Sequence, residues 1–188
     1  MNELYPIFLK LHTLEMLIVG GGNVGFEKLN LILKSSPNAR VSMVAETISP
    51  ECLALLAQHN LPYTIASYNA QQLTDKQIVI AATNNKAINQ QISTDARARR
   101  ILVNVADTPK LCDFYLGSIV TRGNVKIAIS TNGKSPTLAK RLREFLEDII
   151  PENIDELSEN LHKIRNKLAG DFRSKIDKLN DITSKLID

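Results

Sequence analysis

Tryptophan is absent from this 188-residue chain, aromatic residues make up 5% of it, and cysteine occurs only twice. What remains, 44% hydrophobic and 23% charged, is the composition of an ordinary globular chain with enough residues to bury a real core. Cys52 and Cys112 lie far apart in sequence, so they form neither a disulfide framework nor a metal-type CxxC pair, and a reducing compartment suits them. No apolar run approaches the ~20 residues that cross a bilayer. Met1 to Lys10 lacks the basic start and small-residue cleavage site of a secretory leader. A cytoplasmic protein without a membrane partner is expected. Charge of one sign is also scarce. The net charge is +3, made of +4 up to Ile150 and −1 from Pro151 onward. Such an excess suits an anionic small ligand, or a plain solvated surface, and falls short of the dense basic stripes of nucleic-acid domains. His12, His59 and His162 are scattered without cysteine or carboxylate at ligand spacing, so no metal site is expected. A GxSxG elbow and a P-loop lysine are missing too.

What the chain does contain is a rhythm of apolar runs. Leu14 to Val19 is nearly continuous and ends in three glycines, the pattern of a strand buried on both faces. Val- and Ile-rich runs recur at Arg40 to Ala45, Pro62 to Ser67, Gln77 to Ala82 and Ile101 to Ala106. Helical stretches at Val24 to Lys34, Ser49 to Gln58 and Asn85 to Arg99 separate most of them. Ser49-Pro50-Glu51 is a good helix start, because serine caps free amides, proline fits the first turn and glutamate suits the positive end of the dipole. Alternation at this pace predicts an α/β fold with a parallel sheet and right-handed crossovers.

After Asp107 the rhythm changes. Tyr115 to Thr121 and Val125 to Thr131 read as a hairpin joined by Arg122-Gly123-Asn124. Ser135-Pro136 starts a helix that Pro151 ends. Ile154, Leu157, Leu161, Ile164 and Leu168 then fall at helical spacing, and Phe172, Ile176, Leu179 and Leu186 continue the stripe past a Gly170-Asp171 turn. Packing or dimerisation is the expected use of that stripe. An apolar ribbon such as the hairpin is unstable alone in water, so a homodimer built on Phe114 to Arg143 is expected.

Gly20-Gly21-Gly22-Asn23-Val24-Gly25 follows the first strand at once and opens a helix. In a GxGxxG loop so placed, the first glycine permits the tight turn, the second lets backbone approach a pyrophosphate, and the third allows close helix-to-strand packing. Amides from Asn23 and Val24 onward face the phosphates. The expected cofactor site is Gly20, Gly22, Asn23, Val24 and Gly25 on a Rossmann-like sheet; a structural turn or another phosphate ligand is the alternative. Glu46, expected one residue beyond the second strand, suits the ribose hydroxyls and would repel a 2′-phosphate, which favours NAD over NADP; otherwise it is an exposed loop glutamate. Thr83 and Asn84, at the end of the fourth strand, are cofactor-side contacts or simple turn residues. Asp107 ends Asn104-Val105-Ala106-Asp107 at the carboxyl end of the fifth strand, where a general base acts on the nicotinamide side of the cleft. Its alternative is a turn cap before Thr108-Pro109.

These residues, with Ala81-Ala82-Thr83-Asn84, Val103 to Asp107, Phe114 to Arg122, and Ile127 to Pro136 followed by Leu138 to Arg143, resemble the precorrin-2 dehydrogenase family, which includes the dehydrogenase/ferrochelatase part of siroheme synthase. The similarity runs from about Leu4 to Ile150. It implies NAD-dependent oxidation of precorrin-2 to sirohydrochlorin, on the way to siroheme or cobalamin; some members also insert iron. The implied build is a Rossmann domain at 1–113, a dimerisation segment at 114–150 and a helical C-terminal region at 151–188. Asp107 matches the family's acid and Asn104 its asparagine, assigned to the cofactor side. Thr131 stands where serine is common, Ala45-Glu46-Thr47 where Ala-Pro-Glu is common, and the proline often found near Gly117 is missing.

The implied substrate is a reduced tetrapyrrole with eight carboxylates, so its site needs cations. Lys110, Arg122, Lys126, Lys134, Lys140 and Arg141 lie in or beside the matching segments, each a substrate contact or a surface charge. Arg122, Lys126, Thr131 and Lys134 form the expected substrate-binding set. Two rivals stand beside this reading: a non-catalytic tetrapyrrole- or dinucleotide-binding regulator, and another NAD-dependent oxidoreductase on the same fold.

Overall fold

Along the first strand, β1 (Glu15–Gly21), successive side chains enter different cores. The structure, a computed structural model describing residues 2–168 and 172–183, places Met16 and Ile18 with Leu29, Ile32, Met43 and Leu56. It places Leu17 and Val19 with Val79, Ile92 and Val103. A strand covered on both faces has no polar side to show, and this is why its sequence is continuously apolar. The covering helices are α1 (Asn23–Ser35) and α2 (Pro50–Gln58) on one face and α3 (Lys86–Ala98) on the other. With β2 (Arg40–Ile48), β3 (Tyr63–Ile65), β4 (Ile78–Ala81) and β5 (Leu102–Val105), β1 forms a parallel sheet in the order β3-β2-β1-β4-β5. The fold is therefore Rossmann-like. The order reverses between β1 and β4, and ligands of such sheets bind in the crevice outside that switch point.

Two strands differ from expectation. The second runs on to Ile48, because Gly21 pairs with Ile48 after a register shift; Ala45, Glu46 and Thr47 bulge opposite the single residue Gly20. Glu46 is thus inside β2 and not beyond it. The third shortens to Tyr63–Ile65, an edge strand with all three side chains exposed, since it has a neighbour on one side only. Pro62 and Ala66 at its ends still bond β2, through Met43 N to Pro62 O at 3.1 Å and Ala66 N to Ala45 O at 3.0 Å.

Contacts divide the chain into two compact units. The first takes in residues up to Leu116 together with Asn132–Lys134; the second takes in Gly117–Thr131 and the chain from Ser135. Phe114 and Leu116 pack on the sheet's core, which carries the first unit past residue 113. In the second unit β6 (Ser118–Arg122) and β7 (Val125–Ile129) form an antiparallel ribbon. Arg122 pairs with Val125, so the turn is Gly123-Asn124 alone. The Asn124 amide donates to Asp155 Oδ1 at 2.7 Å, tying the turn to the first turn of α5 (Ile154–Lys167). Helix α4 (Pro136–Ile149) packs on the ribbon and is capped by Ser135, whose Oγ accepts from the Leu138 amide. α6 (Phe172–Thr183) follows. The stripe on α5 is half-buried, whereas Phe172 and Ile176 of α6 are exposed. The expected Gly170-Asp171 turn and Leu186 lie outside the described residues.

Candidate functional site

The glycine loop joins β1 to α1 at the carboxyl edge of the sheet. Gly20 has φ +119°, and a Cβ on it would fall on the Ala82 carbonyl oxygen; a Cβ on Gly25 would fall on Gly20 O. Both positions exclude side chains because backbone meets backbone there. Gly22 is different. Its φ of −86° suits any residue, and a Cβ there would meet nothing within 4 Å. The protein itself therefore places no demand for glycine at 22, and the clearance is what a pyrophosphate approaching the backbone requires. α1 begins at once with Asn23, Val24 and Gly25 and has no side-chain cap, whereas Ser49, Asn85 and Ser135 cap α2, α3 and α4. Uncapped amides at a helix N-terminus favour an anion. Cys52 lies fully buried beneath this loop, and burial raises its thiol pKa, the Ser49 hydrogen bond and Glu51 being smaller influences.

On one flank of the loop stands Glu46, exposed at the β2 bulge, with Oε1 accepting from Ser67 Oγ at 2.7 Å. On the other flank the expected contacts divide. Asn84 is exposed, but the Thr83 hydroxyl is spent inside the protein, donating to Asn89 Oδ1 at 2.6 Å and accepting from the Asn85 amide at 3.2 Å. Asn104 is also turned inward: it is 6% exposed, and its Nδ2 donates to the Phe114 carbonyl at 2.8 Å. Through these bonds Thr83 and Asn104 fix the loops after β4 and β5. Asn89, which sequence reasoning passed over, is the partner that explains Thr83; a polar residue in the buried stripe of α3 was the only signal for it.

Asp107 follows β5 on the same edge, in the order glycine loop, Thr83 loop, Asp107 turn set by β1-β4-β5. Its backbone is left-handed, φ +56°, which is uncommon outside glycine, asparagine and aspartate. The carboxylate is exposed and, among the described residues, no hydrogen bond or ion pair engages it; a turn cap would be engaged. The turn is held from below. Cys112 Sγ donates to Val105 O at 3.2 Å, Val105 N donates to Sγ at 3.2 Å, and burial pushes that thiol's pKa up, with the Val105 backbone bond as the largest opposing influence. Cys112 is partly buried, Cys52 fully so.

Among the expected substrate residues, Arg122, Lys126 and Thr131 belong to the second unit. Arg122 lies against α4, its Nη2 donating to the Glu147 carbonyl at 3.0 Å with Nε buried, so it satisfies the end of that helix instead of offering a free fork. Thr131 Oγ1 accepts from the Ser135 amide at 3.2 Å and shapes the loop through Asn132 and Gly133, both left-handed. Lys126 is half-buried in β7. Lys134 is exposed, as is Lys110, in the short turn that follows Asp107.

A family model described as putative NAD(P)-binding matches residues 7–118, which hold the whole sheet with its glycine loop. The chain belongs to this family. Its members' nicotinamide dinucleotide is the group the loop fits, by the clearance above Gly22 and the uncapped start of α1. A second model, described as sirohaem biosynthesis protein central, matches residues 122–149. Siroheme synthase of Psychrobacter cryohalolentis is 42% identical over 172 residues, 92% of this chain and 31% of that protein. Siroheme synthase 1 of Klebsiella pneumoniae is 38% identical over 163 residues, 87% of this chain and 34% of that protein. The chain thus spans about a third of the length of the curated relatives it matches. A solved structure titled SirC, precorrin-2 dehydrogenase, superposes with a TM-score of 0.75 and 25% identity, covering 95% of this chain and 89% of that one.

Proposed function

We propose that the chain is a NAD-dependent precorrin-2 dehydrogenase yielding sirohydrochlorin in siroheme or cobalamin formation. The observation that carries this reading is Asp107: an exposed, unengaged carboxylate on a left-handed backbone, on the sheet edge that also carries the dinucleotide loop. The likeness to siroheme synthases and to a precorrin-2 dehydrogenase structure supports the choice of substrate. NAD is preferred to NADP because Glu46 stands at the ribose end of the loop, its Oε1 held by Ser67. When bound, NAD supplies the hydride acceptor. Asp107 receives the proton that leaves the tetrapyrrole as the hydride departs, and returns it to solvent; the product gains a double bond in conjugation. Lys110 and Lys134, both exposed in the first unit, offer cations to the carboxylates.

The reading divides the chain into a cofactor domain to 113, a dimerisation segment at 114–150 and a helical region at 151–188, in a cytoplasmic homodimer. Its support is the exposed stripe Leu138, Leu142, Phe145 and Ile149 along α4, which a second copy would cover. Asp107→Ala tests the acid. NAD affinity by calorimetry should stay at the parental value while anaerobic turnover of precorrin-2 falls by ~10²–10⁴. A folded variant that turns over at the parental rate would reduce Asp107 to a loop residue and favour the regulator.

A further inference from the structure

Asn89 lies on the inward face of α3, 6% exposed, where an aliphatic residue would cost nothing in unmet hydrogen bonds. Among the described residues, its side-chain hydrogen bonds all go to Thr83. Its Oδ1 accepts from the Thr83 amide at 3.3 Å and the Thr83 hydroxyl at 2.6 Å, and its Nδ2 donates to the Thr83 carbonyl at 2.9 Å. A side-chain amide that takes both backbone groups of a residue imitates a neighbouring strand; it extends the hold on the chain past Ala81, where β4 ends. The other side of that segment faces the glycine loop. Ala82 N donates to Val19 O at 2.8 Å, and the vacant Cβ position of Gly20 lies on Ala82 O and 3.0 Å from Thr83 N. Gly20 in turn meets Gly25 backbone to backbone.

We propose that Asn89 is a positioning residue of the dinucleotide site, holding the Ala82–Thr83 peptide against Gly20 so that the glycine loop keeps its clearance for a pyrophosphate. Asn89 acts through Thr83 and Gly20, without touching the ligand. The inference rests on the dinucleotide reading of the glycine loop and adds to it a residue from the far side of the sheet. Because the contact chain ends at the pyrophosphate seat, its loss is shared by every ligand that carries a pyrophosphate and is blind to the 2′-phosphate.

Calorimetric titration of the full chain and two variants with NAD, NADP, ADP-ribose and AMP tests this. Asn89→Ala should weaken NAD, NADP and ADP-ribose by a common factor of about tenfold and leave AMP, which has no pyrophosphate, at its parental value. Asn89→Asp keeps the acceptor for both Thr83 donors but sets a carboxylate oxygen against the Thr83 carbonyl, acceptor against acceptor, so a common loss of about tenfold or more is expected. A purely structural Asn89 would lower the melting temperature and leave the affinities of the folded protein unchanged; parental affinities in the variants overturn the proposal. If Asn89→Ala does not fold, Asn89→Asp decides by the same criterion. A parent chain that binds neither NAD nor ADP-ribose strikes the dinucleotide reading itself, which separates that failure from failure of Asn89 alone.

Discussion

The two units of this chain solve opposite problems. The first is a sheet covered on both faces, with its polar side chains spent at one edge: Asn89 on Thr83, Asn104 on Phe114, Ser67 on Glu46. Against that background the exposed, unengaged carboxylate of Asp107 stands out. The second unit is a two-stranded ribbon with helices, and it leaves Leu138, Leu142, Phe145 and Ile149 uncovered on α4. Two of its arginines are engaged at α4, Arg143 with Glu147 at 2.7 Å and Arg122 on the Glu147 carbonyl. Ligand chemistry is therefore sought at the sheet edge of the first unit, and the proposed association on the single helix face of the second where Leu138, Leu142, Phe145 and Ile149 line up.

In the first unit, Gly22→Val should act most strongly. A Cβ there meets nothing within 4 Å, so folding should persist with about 1 kcal/mol lost from the helix start. NAD affinity should fall by about a hundredfold as the pyrophosphate seat is filled. Calorimetry that returns unchanged affinity would remove the loop from the site. In the second unit, Leu142→Asp places a charge in the middle of the α4 stripe. A two-fold interface carries it twice, and self-association measured by sedimentation should weaken by about a hundredfold while NAD affinity holds. A parent that sediments only as monomer at micromolar concentration counts against the interface. The smallest effect belongs to Arg122→Ala, which removes the bond to the Glu147 carbonyl: about 1–2 kcal/mol of stability in a denaturant melt. A rise in the KM for precorrin-2 larger than the stability loss would return Arg122 to the substrate.

Local signals in the sequence carried far. The continuous apolar run of β1, the serine caps at Ser49 and Ser135 and the glycines before α1 each depend on neighbours a few residues away, and each is realised. What was not legible depends on pairs distant in sequence. The bulge at Ala45–Thr47 arises only when β2 pairs with Gly21, and it moves Glu46 into the strand. That the Thr83 hydroxyl bonds Asn89 shows only once α3 packs on the sheet. Arg122 carries the right charge for a carboxylated substrate, but α4 folds back to meet it. Glycine geometry shows in sequence because glycine is chosen for backbone; the target of a polar side chain does not show until the fold supplies its partner.

Asp107 and the glycine loop lie on one edge of the first unit, and the proposed oxidation of precorrin-2 belongs there. Anaerobic incubation of the full chain with precorrin-2 and NAD, followed by absorbance, tests it most directly. Reduced cofactor and sirohydrochlorin should appear together in equal amounts, faster with NAD than with NADP. A chain that binds NAD and forms neither product contradicts the account.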